Sequence, residues 1–270
     1  MLLVVYSHII TVGYAETFSG DIGITPEGSL LTFNDLFVVF RMPLFFFISG
    51  FILYKQDFEW SASASLTFIW KKAKVQLIPT AFFMLLFVYM FDRSLVTSIY
   101  HPAKAGYWFT ITLFEYFVIY VILRLICNKL GRRNGIDWLI LCIAIVISFA
   151  ATVRCLTIIG IADLKVTGLL GIEQLVYFVF FTLGTLVRKH YSKIRKLADN
   201  KYVIGTALVA FFGFIIFKIK EGANGLGYSI GYMISRAIGL LLVFTFFMKN
   251  EGLFTQDTKL GRVLQYIGRR

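Results

Sequence analysis

The sequence predicts an all-α protein, a bundle of about eight helices that cross a membrane. Two observations support this class. Of the 270 residues, 58% are hydrophobic and the mean hydropathy is +0.77, whereas soluble domains contain roughly 45–50% apolar residues. The apolar residues also form long runs, and a helix needs about 20 of them to cross a hydrocarbon core. The surplus apolar surface is therefore expected to face membrane lipid.

Eight apolar segments are predicted to span the membrane, the first of them short. They are residues 1–15, 34–54, 75–91, 107–127, 137–155, 171–188, 202–219 and 228–248. The stretch 157–170 is apolar but broken by two glycines and two charged residues, so a loop or re-entrant segment is predicted there. No Pro-rich or low-complexity tract divides the chain, and residues 1–270 are expected to form a single domain.

The Lys and Arg residues between these spans predict the orientation. The loops after the second, fourth, sixth and eighth spans hold 19 of the 27 basic residues, and the opposite loops hold 6. Loops rich in Lys and Arg stay on the cytoplasmic side of a membrane. A multi-pass protein with both termini in the cytoplasm is therefore predicted.

Composition also excludes several classes of protein. The net charge of +12 does not indicate nucleic-acid binding, because the basic residues alternate with apolar runs and form no stripe. The three cysteines have unrelated spacings and no CxxC pair, so neither a disulfide framework nor a metal site is predicted. Motifs for nucleotide hydrolysis, Rossmann-type redox chemistry and serine hydrolysis are absent.

The first segment has a second interpretation. Residues 12–15, which precede Glu16, resemble a signal-peptidase site that follows a short apolar stretch. However, no charged region precedes that stretch, and His8 interrupts it. These features favour a span that is truncated at its start.

Four ionisable residues are predicted to lie within spans: His8, Arg41, Glu115 and Arg236. At 1.5 Å per residue, all four are placed roughly 9–14 Å below the outer surface. Charged groups inside a bilayer are costly and usually mark a functional cavity. An imidazole beside a carboxylate can act as a general base, and an arginine can bind an anion or a developing oxyanion.

Structural interpretations of the same four residues remain open. Arg41 and Glu115 could form an ion pair that holds two helices together. Arg236 could extend its side chain toward the membrane surface, and His8 could form only an interhelical hydrogen bond. Likewise Lys71, Lys72 and Lys74, which precede the third span, could bind lipid headgroups or the phosphates of a polyanionic substrate.

Several segments together resemble the acyltransferase-3 family of bacterial membrane O-acetyltransferases, especially its branch similar to fucose 4-O-acetylases. The segments are a His in the first span, FRMPLFFFISGF at 40–51, Lys72-x-Lys74 with Pro79, Tyr107-Trp108-Phe109 with Glu115, FFxLG at 180–184 with Arg188-Lys189, and Tyr266-Ile267-Gly268. The stretch at 40–51 is the most specific of them, and the resemblance covers residues 1–270.

The resemblance implies a bacterial inner-membrane enzyme of about ten helices. Such an enzyme moves an acyl group from cytoplasmic acyl-CoA to a hydroxyl of a cell-surface glycan or of its lipid-linked precursor. The essential His of the family falls on His8, and the basic pair of the family falls on Lys72 and Lys74. The basic residue that precedes this His, and the last helix of the family, have no counterpart here, so a chain truncated at both ends is expected.

The expected mechanism is O-acylation with acyl-CoA, most simply acetyl-CoA, as co-substrate and with no bound cofactor or metal. Lys71, Lys72 and Lys74 would bind the phosphates of CoA. His8 would act as general base or carry the acyl group, and Glu115 would orient its imidazole. Arg41 and Arg236 would bind the acceptor or the oxyanion.

Two other functions fit parts of the sequence. A secondary transporter or glycan flippase would also bury Arg and Glu along a substrate path, and the pattern FFxxG occurs twice, at 46–50 and 180–184, as in an internal repeat. A structural scaffold within a glycan-synthesis complex would fit a truncated chain.

Overall fold

The computed structural model describes residues 33–55, 60–101, 104–129, 135–153, 171–221, 226–259, 261–263 and 266. Across these residues the regular secondary structure is helical, with no strand. The predicted all-α class is therefore confirmed. The predicted first span, 1–15, and the predicted loop 157–170 lie outside the described residues.

Nine α-helices follow one another in the described part of the chain. They are α1 (Phe33–Leu53), α2 (Ala62–Met90), α3 (Leu95–Tyr100), α4 (Trp108–Lys129), α5 (Ile136–Thr152), α6 (Phe178–Lys189), α7 (Tyr191–Ala198), α8 (Lys201–Glu221) and α9 (Leu226–Lys249). Short 3-10 helices cover Lys104–Gly106, Ile172–Tyr177 and Glu251–Phe254.

Within the described residues, three helices are long and apolar enough to cross a membrane: α2, α4 and the part of α9 at Ile230–Lys249. Three shorter apolar helices accompany them, at Val39–Leu53, Ile136–Thr152 and Lys201–Phe214. Large apolar side chains of α2, such as Val75, Ile78 and Phe82, are more than 60% exposed. A surface of this kind is unfavourable in water and indicates contact with lipid.

Helix α2 begins well before the predicted third span. The sequence placed its start at residue 75, but the Ser61 side chain accepts a hydrogen bond from the Ala64 N–H at 3.2 Å and caps a helix that starts at Ala62. No Gly or Pro interrupts the chain before Pro79. The lysines at 71, 72 and 74 therefore lie on the helix itself and not in a loop.

The chain divides into two compact units, residues 1–44 with 190–270 and residues 45–189. In the second unit, Phe46, Tyr116, Tyr120, Phe178 and Phe181 are at most 2% exposed and form an aromatic core. In the described part of the first unit, α8 and α9 pack together around Val39, Phe40 and Phe211. The single domain over 1–270 stays a prediction.

The two FFxxG segments pack directly against each other inside the second unit. A Cβ atom added at Gly50 of α1 would lie 1.9 Å from the carbonyl oxygen of Phe181. One added at Gly184 of α6 would lie 2.1 Å from the carbonyl oxygen of Phe47. Each glycine thus lets the backbone of the other helix approach, as small residues do between membrane helices. This reciprocal contact gives the repeated pattern a packing role.

Candidate functional site

The predicted polar layer is divided between the two units. Arg41 on α1 and Arg236 on α9 belong to the first unit, and Glu115 on α4 belongs to the second. His8 lies outside the described residues. The convergence of these four side chains therefore stays a prediction, and the surroundings of each are described separately.

Glu115 lies on a buried polar face of α4. Its Oε2 atom is buried and forms no hydrogen bond with the described part of the chain. Thr112, three residues earlier, is fully buried, and its Oγ1 atom also lacks a hydrogen bond there. Residues three apart share a helix face, so both atoms lie on one side of α4. A buried polar atom without a partner costs about 1–3 kcal/mol, which a substrate hydroxyl or an imidazole at this face would relieve.

The backbone at Gly171 approaches the Glu115 carboxylate closely. Gly171 has φ +56°, in the left-handed region that favours glycine. A Cβ atom there would lie 2.9 Å from Oε2 of Glu115. The 3-10 helix that follows Gly171 is held on α4, since the Tyr116 hydroxyl donates a hydrogen bond to the Gln174 carbonyl. Only a residue without a side chain leaves the carboxylate in this position.

Lys104 is a buried lysine whose charge interacts with that of the Glu115 carboxylate. In the sequence it is only one of the basic residues of the loops between spans. Only 2% of the surface of Lys104 is exposed, and its Nζ atom donates a hydrogen bond to the Ile99 carbonyl at 3.3 Å. Burial lowers the pKa of Lys104, and the negative charge of Glu115 opposes part of that shift. No sequence pattern distinguishes a buried loop lysine from an exposed one, so this residue could be found only in the folded chain.

The two arginines of the first unit are both half-buried. The guanidinium carbon of Arg236 lies 4.1 Å from the ring centroid of Tyr232, one turn earlier on α9. The Nε atoms of Arg236 and Arg41 are both buried. Stacking on an aromatic face stabilises a desolvated guanidinium, so the contact with Tyr232 helps to hold Arg236 inside its unit.

The three lysines of α2 have different surroundings. Lys72 is half-buried, and its Nζ atom lies 4.5 Å from the ring centroid of Phe117 on α4. Lys71 and Lys74 are exposed and, being three residues apart, share a face of α2. Lys74 lies over Trp70 at 5.3 Å. Lys72 therefore connects α2 to α4, while the other two are accessible to a polyanion.

A second group of charged residues, which we call the Asp137 cluster, contains the buried Arg124 and Asp137 and the exposed Lys189. Arg124 of α4 binds Oδ1 of Asp137 at the start of α5, and Lys189 of α6 binds Oδ2. Arg124 also donates to the Tyr120 hydroxyl at 3.1 Å. In the sequence, both cations are counted among the basic residues of the loops between spans, and Asp137 is not selected as a site residue. An acidic residue that opens an apolar helix is nevertheless a recognisable signal. The cluster joins three helices.

Among the described residues, no group of three or more His, Cys, Asp or Glu side chains is placed to hold a metal ion. The polar groups that are present suit acid–base chemistry and anion binding. The described residues form only helices, and several of these expose large apolar side chains, as in a helical membrane protein.

Comparison with protein families identifies the kind of membrane protein. The acyltransferase-3 model, described as an acyltransferase domain, matches residues 1–270. The chain belongs to the acyltransferase-3 family of membrane acyltransferases, as the sequence predicted. The branch similar to fucose 4-O-acetylases stays a prediction. Neither the search of curated proteins nor that of solved structures found a match.

Proposed function

We propose that this acyltransferase moves an acetyl group from cytoplasmic acetyl-CoA to a hydroxyl of a cell-surface glycan or of its lipid-linked precursor. The family supplies the acyl-transfer class. The observation that supports the site is the Glu115 carboxylate, whose buried Oε2 forms no hydrogen bond with the described residues. Such an oxygen can accept a hydrogen bond from a proton-bearing group during a reaction.

The proposed reaction exchanges one acyl bond for another. The acceptor oxygen attacks the thioester carbonyl, so a C–O bond forms while the C–S bond breaks. His8 accepts the hydroxyl proton and returns it to the departing CoA sulfur, and Glu115 stabilises the charged imidazole. In the alternative form of the mechanism, His8 carries the acetyl group between the two substrates.

The remaining site residues have binding roles in this proposal. Arg41 and Arg236 stabilise the negative charge that develops on the carbonyl oxygen, or bind the acceptor. Lys71 and Lys74, which are exposed on α2, bind the phosphates of CoA. Lys72 contributes its charge from beside Phe117, where a neighbouring phosphate would compete with the aromatic ring. The protein would act at the bacterial inner membrane with both termini in the cytoplasm.

The first test measures turnover of radiolabelled acetyl-CoA by the protein in detergent. The parent should release free CoA and yield a labelled glycan or a labelled protein. Loss of a general base typically lowers the rate about 10²–10⁴-fold, so His8→Ala should be nearly inactive while acetyl-CoA still binds. The matched control is His190→Ala, which removes another imidazole and should keep the activity of the parent.

A companion pair of variants tests the site for CoA. Lys72→Ala combined with Lys74→Ala should raise the Kd for CoA, whereas Lys201→Ala combined with Lys249→Ala should not. Parental turnover by His8→Ala would show that His8 is a packing residue. A parent that neither binds nor consumes acyl-CoA, but moves a glycan between leaflets, would establish the transporter function instead.

A further inference from the structure

Helix α7 has a basic side and an apolar side. Ile194 is half-buried and lines a small apolar cavity together with residues of α8 and α9. Three cationic side chains of α7 are exposed: Lys193, Arg195 and Lys196. With 3.6 residues per turn, these cations lie on the side of α7 opposite Ile194. A short helix of this kind is typical of a membrane surface, where its cations meet lipid headgroups.

The positive charge continues onto the start of α8. We call the basic surface the four exposed cations that α7 and α8 present here: Lys193, Arg195, Lys196 and Lys201. Between residues 193 and 201 the only acidic residue is Asp199, so four positive charges and one negative charge leave a net charge of +3. Among the described residues, no ion pair engages any of the four cations. The basic surface is therefore suited to an anionic partner.

Lys201 and Tyr202 indicate where the membrane surface meets α8. The Nζ atom of Lys201 lies 5.5 Å from the ring centroid of Tyr202, and Tyr202 is 74% exposed. Tyrosine is enriched at the boundary between headgroups and hydrocarbon, and lysine extends from there toward water. Residues 203–210, which follow, contain no charged side chain. The hydrocarbon region is therefore expected to begin near Tyr202.

An apolar groove of about 440 Å³ begins at this level between α8 and α9. It is lined by Tyr202, Val203, Thr206, Ala207, Ala210 and Ile238. The Thr206 hydroxyl donates to the Tyr202 carbonyl at 2.9 Å, so this donor is satisfied within the helix. The eight residues from Tyr202 to Ala210 extend about 12 Å, close to the roughly 15 Å of one hydrocarbon leaflet. The groove therefore matches an acyl chain in length and polarity.

The groove and the basic surface adjoin each other. Val203 and Ala207 line both the groove and the cavity that Ile194 of α7 lines, so α7 lies beside the groove. Lys201 directly precedes the first residue of the groove lining. A phospholipid has its parts in the same order, with a phosphate at the surface and acyl chains below it. A zwitterionic headgroup would leave the net charge of +3 unbalanced, whereas an anionic one would offset part of it.

We propose that α7 and the groove between α8 and α9 form a binding site for an anionic phospholipid. Its phosphate lies on the basic surface, and one of its acyl chains lies in the groove. The basic surface selects the charge of the headgroup, and the groove selects the length of the chain. All of these residues belong to the first unit, and the inference does not rest on the proposed acyl transfer.

The first test measures lipid binding to the protein in neutral detergent by native mass spectrometry. The probes are phosphatidylglycerol and phosphatidylcholine with identical long chains. The parent should bind phosphatidylglycerol at least about tenfold more tightly. Each basic residue near an anionic surface contributes roughly fivefold in affinity, so the triple variant Lys193→Gln, Arg195→Gln, Lys196→Gln should lose this preference.

The matched control removes the same charge from other exposed positions, with Lys129→Gln, Lys259→Gln and Arg262→Gln. It should keep the preference of the parent for phosphatidylglycerol. An equal loss in both triple variants would show attraction by net charge alone and would overturn the proposal. A parent that binds both lipids equally, or binds neither because another segment or a second copy fills the groove, would also overturn it.

A second test addresses the groove. Ala210→Trp places a large ring in the groove and should weaken binding of long-chain phosphatidylglycerol about tenfold, while a short-chain form with the same headgroup should lose little. The matched control is Val209→Trp, because Val209 is 76% exposed on α8 and does not line the groove. Equal effects of the two variants, or no effect of Ala210→Trp, would refute the placement of the acyl chain.

A third test needs no variant and therefore stays informative if a variant fails to fold. Phosphatidylglycerol that carries a photoreactive diazirine on one acyl chain is incubated with the parent and irradiated. Peptides that contain residues 202–210 should be labelled, and unlabelled phosphatidylglycerol should compete more effectively than phosphatidylcholine. Labelling confined to other helices, or equal competition by the two lipids, would contradict the proposal.

Discussion

Two carboxylates, Asp137 at the start of α5 and Glu115 on α4, differ in how completely they are paired. At Asp137, both carboxylate oxygens are bound, one by Arg124 and the other by Lys189. At Glu115, Oε2 is buried without a hydrogen bond from the described residues. Glu115 and Arg124 are nine residues apart, which is about 14 Å along the helix.

The difference is the one expected between a structural use of buried charge and the reactive use that we propose for Glu115. In the Asp137 cluster two cations bind the carboxylate, and one of them, Arg124, also binds the Tyr120 hydroxyl. The cost of desolvation is thereby offset and the three helices are joined. No oxygen of that carboxylate is left for a substrate. The open oxygen of Glu115 costs stability in the folded protein, and such a cost is typical of groups that act in a reaction.

The largest expected effect is the loss of activity in Glu115→Gln. The substitution keeps the size of the side chain but removes the charge that, in the proposed mechanism, stabilises the imidazole of His8. The rate of acetyl-CoA turnover should fall about 10²–10⁴-fold, with a smaller loss of Tm than at Asp137. Near-parental turnover would place Glu115 in a structural role and remove the distinction between the two sites.

The second effect is a loss of stability in Asp137→Asn. The buried Arg124 would lose its counter-charge, and breaking a buried pair in this way typically costs about 3–5 kcal/mol. The folded fraction should keep its activity, as measured per mole of protein that elutes as a monodisperse peak.

The exposed Asp199 provides the matched control for that experiment. Asp199→Asn should change stability by less than about 0.5 kcal/mol, as is usual for surface substitutions. If Asp137→Asn were stable but inactive, the Asp137 cluster would belong to the catalytic machinery and the contrast would fail.

The smallest expected effect is a difference in turnover between Gly171→Ala and Gly135→Ala. Both glycines have positive φ, +56° and +83° respectively, so an alanine at either position should cost about 1–2 kcal/mol. A Cβ atom at Gly135 meets nothing within 4 Å, whereas one at Gly171 displaces the flexible end of Glu115. Both alanine variants should lose similar Tm, but only Gly171→Ala should lose turnover. Equal activity of the two variants would show that the carboxylate tolerates displacement.

The sequence predicted the helical class and the family, because both follow from patterns that are local or ordered along the chain. Apolar runs determine where helices can cross lipid, and the stretch at 40–51 is an unbroken motif. The start of α2 was predicted 13 residues too late, since the apolar run begins near residue 75 while the helix is set by the cap at Ser61. Hydropathy indicates which residues can contact lipid, whereas the length of a helix depends on how far its backbone hydrogen bonds continue.

Glu115 could be selected from the sequence because a carboxylate within an apolar run is conspicuous. Lys104, Gly171 and Asp137 could not be connected in the same way. Gly171 approaches Glu115 from 56 residues away along the chain, and Lys189 reaches Asp137 from 52 residues away.

By itself, the sequence determined the helical class, the membrane environment and the family of this protein. Only the tertiary structure decided which charges are neighbours, which FFxxG glycine faces which carbonyl, and which carboxylate has an oxygen left open. The physical reason is that hydropathy is a property of single residues summed along a chain. Pairing and steric exclusion instead depend on distances between segments that only folding brings together.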